Sequence, residues 1–167
     1  HLISALLATG TLAAAPTANA TEYLTGMLGW FDATQQDRDS LEYGAEYRFD
    51  PIWKGLRPTL GVMANTDEAV YGYAGLQYDF LIAKQWYLSP SFAAGAYKRG
   101  DSKDLGGALE FRSGIELGYE FSNYHRLGVS FSHRSNANIY KDNPGQETLM
   151  LTYSIPMGNI FYGADKR

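Results

Sequence analysis

A histidine, a serine and a glutamate stand close together late in the chain. Ser132-His133-Arg134-Ser135-Asn136-Ala137-Asn138 is followed by Asn143-Pro144-Gly145-Gln146-Glu147. Ser135 lies two residues after His133, and Glu147 twelve after Ser135. A hydroxyl nucleophile, an imidazole base and a carboxylate to orient the base are the parts of a hydrolytic triad. Ser, His and Glu fall near one another in many chains, so the elements that carry them must decide the matter.

Of the 167 residues, 14% are aromatic, 13 are Tyr and 18 are Gly, a balance that suits a β-protein with aromatic girdles better than a helical one. With no cysteine and a net charge of -4, disulfides and thiolate chemistry are excluded and nucleic acid is not an expected partner. Residues 1–20 carry no acid, Lys or Arg, hold the apolar run 2–8, and end Ala18-Asn19-Ala20, a small-x-small cleavage pattern. The expectation is a signal-peptide remnant over 1–20 and a mature domain over 21–167.

Past Thr21 the dominant period is two. Leu41, Tyr43, Ala45, Tyr47 and Phe49 alternate with Glu42, Gly44, Glu46 and Arg48. Leu109, Phe111, Ser113, Ile115, Leu117, Tyr119 and Phe121 alternate with Glu110, Arg112, Gly114, Glu116, Gly118 and Glu120. Eight candidate strands follow: 22–32, 39–49, 55–65, 69–80, 85–98, 106–121, 124–135 and 147–157. Short connectors alternate with more polar links, the habit of an outer-membrane barrel with short periplasmic turns and outer loops. The expected fold is all-β, an eight-stranded antiparallel transmembrane β-barrel. Side chains fill the interior of a barrel of that size. Glu42, Glu46, Arg48, Glu110, Arg112, Glu116 and Glu120 are therefore expected as an internal polar network, which leaves no wide pore.

On the seventh strand Leu127, Val129, Phe131, His133 and Ser135 share one face, and on the eighth Glu147, Leu149, Leu151, Tyr153 and Ile155 do. The apolar members mark the lipid side, so all three candidates project outward at the outer ends of adjacent strands. Pairing is expected to set Ser135 near Glu147, with Glu147 diagonal to His133. Ser135 would attack an ester carbonyl, His133 take and return the proton, and Glu147 hold the imidazole. Asn136, or backbone N–H groups around Ala137-Asn138, could form the oxyanion hole. His125 falls at the opposite end, in a turn.

His133-x-Ser135-Asn136-Ala137 followed by Gly145-x-Glu147, on the last two strands of a short exported barrel, resembles the PagL family of outer-membrane lipid A 3-O-deacylases. The resemblance implies Ser135 as nucleophile, His133 as base, Glu147 as acid member and Asn136 as oxyanion donor. The second donor would be the N–H of Asn138, where the family usually has glycine. A further departure is the C-terminus, which runs past Phe161-Tyr162 to Asp165-Lys166-Arg167. The resemblance also names the substrate: the ester-linked 3-hydroxyacyl chain at the 3 position of lipid A, in lipopolysaccharide of the bacterial outer membrane. Acyl chains would then lie past Leu127, Val129, Phe131, Leu149 and Leu151. Arg134, Lys141, Lys98, Arg99 and Lys103 are candidate phosphate partners. No cofactor and no metal are expected, and a homodimer is left open. An outer-membrane phospholipase and a non-enzymatic structural or adhesin barrel are the competing readings.

Overall fold

Alternation along the strands resolves into an inside-out protein. In the computed structural model, which describes residues 21–35 and 40–158, most charged strand side chains point inward, packed with buried tyrosines and methionines such as Tyr73 and Met63, while a wall of other apolar side chains points outward. The strands are β1 (Tyr23–Phe31), β2 (Ser40–Arg48), β3 (Leu56–Asn65), β4 (Val70–Tyr78), β5 (Phe80–Leu81), β6 (Trp86–Lys98), β7 (Leu109–Glu120), β8 (Arg126–Ser135) and β9 (Gln146–Pro156). They form one antiparallel sheet in the order β4-β3-β2-β1-β9-β8-β7-β6-β5, and a β4–β6 pairing closes it.

β5 is the tail of β4 rather than a ninth wall strand. Gln77 faces Ser91 and Phe80 faces Leu88, one continuous register on β6. In that register the ladder lapses opposite Pro90, which has no N–H to donate. The expected eight-stranded antiparallel barrel is thus the observed one. The leader expected over 1–20 and the segment 159–167 lie outside the described residues.

The outer wall carries Leu28, Leu60, Phe92, Val129 and Leu151, each at least half exposed. Water would not tolerate so continuous an apolar surface, whereas hydrocarbon does. Strands of 9 to 13 residues match the tilted span of a bilayer. One rim carries an aromatic belt: Tyr47 against Phe49, Tyr78 against Phe80, and Trp86, Tyr119 and Phe121 in sequence. His125 lies at this rim, its Nδ1 2.8 Å from the Tyr153 hydroxyl.

The lumen is closed by ion pairs. The Arg48 guanidinium donates to Glu46 Oε1 at 2.7 Å and to both oxygens of Glu116 at 3.0 and 2.7 Å. Tyr73 and Tyr87 donate their hydroxyls to the same two carboxylates. At the aromatic rim Asp79 Oδ2 accepts from Arg57 at 3.0 Å and from Arg126 at 2.8 Å, and Arg126 also reaches Glu120 at 2.8 Å. Toward the other rim Arg134 donates to Glu42 at 3.0 Å, with Thr148 on the second Glu42 oxygen at 2.8 Å. All seven charges expected inside do point inward, with Glu120 partly exposed near the rim. The paired charges are tolerated because each is compensated, and removing one partner would leave the other uncompensated; Glu110, also buried, has neither carboxylate oxygen hydrogen-bonded.

Candidate active site

At the rim opposite the aromatic belt, β8 and β9 present their last outward positions before the outer loop. His133 and Glu147 face each other directly in the β8–β9 register. Direct opposition differs from the diagonal expected from the sequence. The ladder ends one pair later, at Arg134–Gln146, so Ser135 lies beyond Glu147 rather than beside it. The consequence favours the chemistry: His133 Nδ1 is 2.8 Å from Glu147 Oε1. An Nδ1–H donated to the carboxylate leaves Nε2 as the basic nitrogen. Ser135 follows on the same outward face of β8, and its other neighbour across the sheet is Phe111 on β7.

The Glu147 side chain is 17% exposed and that of His133 46%. Apolar outward residues continue below them, Phe131, Val129 and Leu127 on β8 and Leu149 and Leu151 on β9. The pair therefore stands at the top of a lipid-facing wall, not in a water-filled pocket.

Two residues that shape the site, Thr34 and Gly145, have no role in the sequence reading, although Gly145 belongs to its motif. Thr34, in the β1–β2 link, donates its hydroxyl to Glu147 Oε2, the oxygen His133 leaves free. Gly145 has φ +69, and a Cβ there would come within 2.9 Å of His133 Cε1 and 3.6 Å of Nε2. The backbone at Gly145 thus forms the seat of the imidazole. Thr34 gave no signal, being a single hydroxyl in a polar link. Gly145 did, as a glycine two residues before the acid in a loop returning to a strand.

The loop after Ser135 folds back on itself. Ala137 and Asn138 have φ of +54 and +61, and Ile139 N–H donates to Asn136 C=O at 3.1 Å. Two left-handed central residues are the mark of a type I′ turn. The N–H groups of Ala137 and Asn138 lie outside the turn's own closing bond. Asn138 thus adopts the conformation for which glycine is usual, at a position where asparagine tolerates it.

Asn136 departs from its expected role as an oxyanion donor. It is fully buried, its Nδ2 donates to Leu105 C=O and Asp142 C=O, both at 2.8 Å, and its N–H donates to Asn143 Oδ1 at 3.0 Å. Its parity is that of Arg134, the inward set, so its amide ties the outer loop to the β6–β7 link. Asn143 completes the brace by donating to Asn138 Oδ1 at 3.1 Å.

Two expected phosphate partners are corrected as well. Arg134 is 1% exposed and bound to Glu42 inside the barrel. Lys103 is buried, with Nζ 2.9 Å from Asp32 Oδ1 and 2.6 Å from Gln35 Oε1. Parity explains Arg134, which alternates with the lipid face; a loop fold invisible in the sequence explains Lys103. Arg99 pairs with Asp104 at 2.9 Å on the surface, and Lys98 and Lys141 are exposed.

With this geometry in place, known proteins supply independent comparisons. The family model described as lipid A 3-O-deacylase (PagL) matches residues 30–156. Over 52 residues the chain is 40% identical to the lipid A deacylase PagL of Bordetella bronchiseptica, covering 31% of this chain and 29% of that protein. Over 65 residues it is 37% identical to the lipid A deacylase PagL of Pseudomonas aeruginosa, covering 39% of this chain and 38% of that protein. The matched stretches span less than two fifths of either relative. The crystal structure of the outer membrane enzyme PagL superposes with a TM-score of 0.62 at 21% identity, over 80% of this chain and 99% of that one. Neisserial surface protein A superposes with a TM-score of 0.56 at 12% identity, over 81% of this chain and 95% of that one. At such identities the superpositions speak to the fold alone. The family match does more: it runs through both strands that carry His133 and Glu147 and covers well over half the sequence, so the chain belongs to the PagL family of lipid A 3-O-deacylases.

Proposed function

We propose that this barrel hydrolyses the ester holding the 3-hydroxyacyl chain at the 3 position of lipid A, using Ser135, His133 and Glu147. The observation that carries the reading is the 2.8 Å contact between His133 Nδ1 and Glu147 Oε1 on the outer wall, with a serine two residues on along the same face.

Ser135 Oγ attacks the acyl carbonyl while its proton passes to His133 Nε2. Glu147 stabilises the imidazolium through the Nδ1–H bond. The tetrahedral oxyanion needs preorganised donors. The Asn138 N–H, three residues after Ser135 and outside the closing bond of the left-handed turn, is the donor assigned to it. Asn136 would serve only by giving up one of its present acceptors. Collapse breaks the ester C–O bond, and His133 returns the proton to the sugar oxygen. Water, deprotonated by His133, then attacks the acyl-serine and releases the 3-hydroxy fatty acid.

Position selects the substrate class. A catalytic group at the top of an apolar wall meets lipids whose ester linkages lie at headgroup depth. Acyl chains would run down β8 and β9 past Phe131, Leu149 and Leu151. Polar surface for the sugar headgroup lies beside the outer loop, in a recess lined by Asp104, Gly106, Lys141, Asp142, Asn143 and Pro144. Purified protein incubated separately with lipid A and with phospholipid tests the reading. Release of 3-hydroxy fatty acid from lipid A alone is expected; release from phospholipid instead would make the protein a phospholipase.

A further inference from the structure

We propose that Thr34 is a positioning residue for the His133–Glu147 pair, presented to it by a β1–β2 link that buried contacts clamp in place. The proposal rests on the triad reading above and extends it to a segment more than a hundred positions away in sequence.

The two oxygens of Glu147 are divided between two partners. Oε1 takes the His133 ring and Oε2 takes the Thr34 hydroxyl. A carboxylate held through one oxygen can swing about its terminal torsion, which is broad and shallow. Held through both, it keeps Oε1 in line with Nδ1, fixing the tautomer that leaves Nε2 facing the nucleophile. A carboxylate with a second hydroxyl donor is also a better-defined anion for an imidazolium to form against.

Thr34 is exposed, and a side chain on a free loop could not do this. The link is not free. Asp32 turns the chain at φ +56 and is itself fully buried, its carboxylate 2.9 Å from Lys103 Nζ. Lys103 also donates to Gln35 at 2.6 Å, so one ammonium grips both sides of Thr34. Ala33 N–H donates to the Glu147 carbonyl at 3.0 Å, extending the β9 edge by one backbone bond. Gln35 Nε2 approaches Pro144 C=O at 3.5 Å. Residues 32 to 35 are therefore anchored to the β6–β7 link on one side and to the start of β9 on the other, with the threonine hydroxyl aimed at the carboxylate.

The test is a mutant cycle on the intact barrel in detergent or bilayer. Thr34→Val replaces the hydroxyl with a methyl of similar volume. Thr34→Ala removes it with no new bulk, and Thr34→Ser keeps it. Two rates are read: lipid A deacylation, resolved into kcat and KM, and labelling of Ser135 by a fluorophosphonate, which needs an activated serine but no lipid. Both Val and Ala variants should lose about tenfold in kcat and in labelling rate, as for other outer-shell partners, with KM unchanged. Thr34→Ser should recover most of that loss. In a Glu147→Ala background, Thr34→Val should have no further effect, because the carboxylate it holds is gone.

A loss confined to KM, an equal loss with and without Glu147, or a Thr34→Ser variant as impaired as Thr34→Val would each overturn the proposal. So would wild-type rates in Thr34→Val and Thr34→Ala, while leaving the triad itself intact. A wild-type protein that labels with the probe but spares lipid A would overturn the substrate and not the role of Thr34. A wild type that does neither would overturn both.

Discussion

Gly145→Ala adds one methyl group beneath the His133 imidazole, the proposed general base. Built on the present backbone, that carbon lies 2.9 Å from His133 Cε1, against about 3.5–4.0 Å for an unstrained carbon contact. Something must move by roughly half an ångström or more. The backbone at Gly145 is held between Asn143, which braces the turn, and the first β9 ladder pair, so the ring gives way first. The backbone conformation adds a second penalty: an L-residue at φ +69 costs about 1–2 kcal/mol. Displacing a general base by about 1 Å commonly costs about a hundredfold in rate. Gly145→Ala should therefore lose about two orders of magnitude in kcat and about 1 kcal/mol in stability, read by lipid A turnover and by denaturant unfolding from bilayers. Gly145→Asn separates the two effects, because asparagine tolerates the left-handed region yet carries the same Cβ. It should lose activity as badly and stability less. Full activity in both variants would refute the claim that Gly145 seats the imidazole.

Other expectations follow from the same geometry. Ser135→Ala and His133→Ala should abolish turnover, while Glu147→Ala should retain more residual activity, since the acid member costs least when lost; equal residual rates in all three would contradict the assigned roles. None should prevent folding, which heat-modifiability on gels would show. Arg48→Met leaves the Glu46 and Glu116 carboxylates without their shared partner and should destabilise the barrel by about 3–5 kcal/mol, measured by denaturant unfolding. Leu151→Arg places a charge on the outward face of β9 and should cost about 2–4 kcal/mol if that face meets mid-bilayer lipid; an unchanged stability would argue that something other than hydrocarbon covers it. Arg134→Ala should lower stability through the stranded Glu42 carboxylate and leave KM for lipid A unchanged, which a phosphate contact would not.

Much of this was legible in alternation. Each strand carries its own inside-outside pattern, so the eight long strands, the inward glutamates and arginines of β2 and β7, and the outward placement of His133, Ser135 and Glu147 could be read one strand at a time. What needed three dimensions was everything joining strands distant in sequence. The Arg57–Asp79–Arg126 cluster draws on three separate segments, so alternation could place Asp79 inside the barrel but could not name its partners. The register of β8 on β9 is set by how the outer loop closes, through Asn143 and the Ala137–Asn138 turn, and two residues of slippage are invisible to a period of two. Lys103 looked like a free loop cation because its partner, Asp32, lies 71 positions earlier. Thr34 escaped notice for the same reason.

Mass spectrometry of lipid A from cells expressing the wild-type chain or its Ser135→Ala variant tests the central claim most directly. The wild type should shift lipid A down by one 3-hydroxyacyl group, and Ser135→Ala should leave its mass unchanged. The same loss in both strains, or none in either with the barrel folded in the outer membrane, would contradict a lipid-facing Ser135 nucleophile.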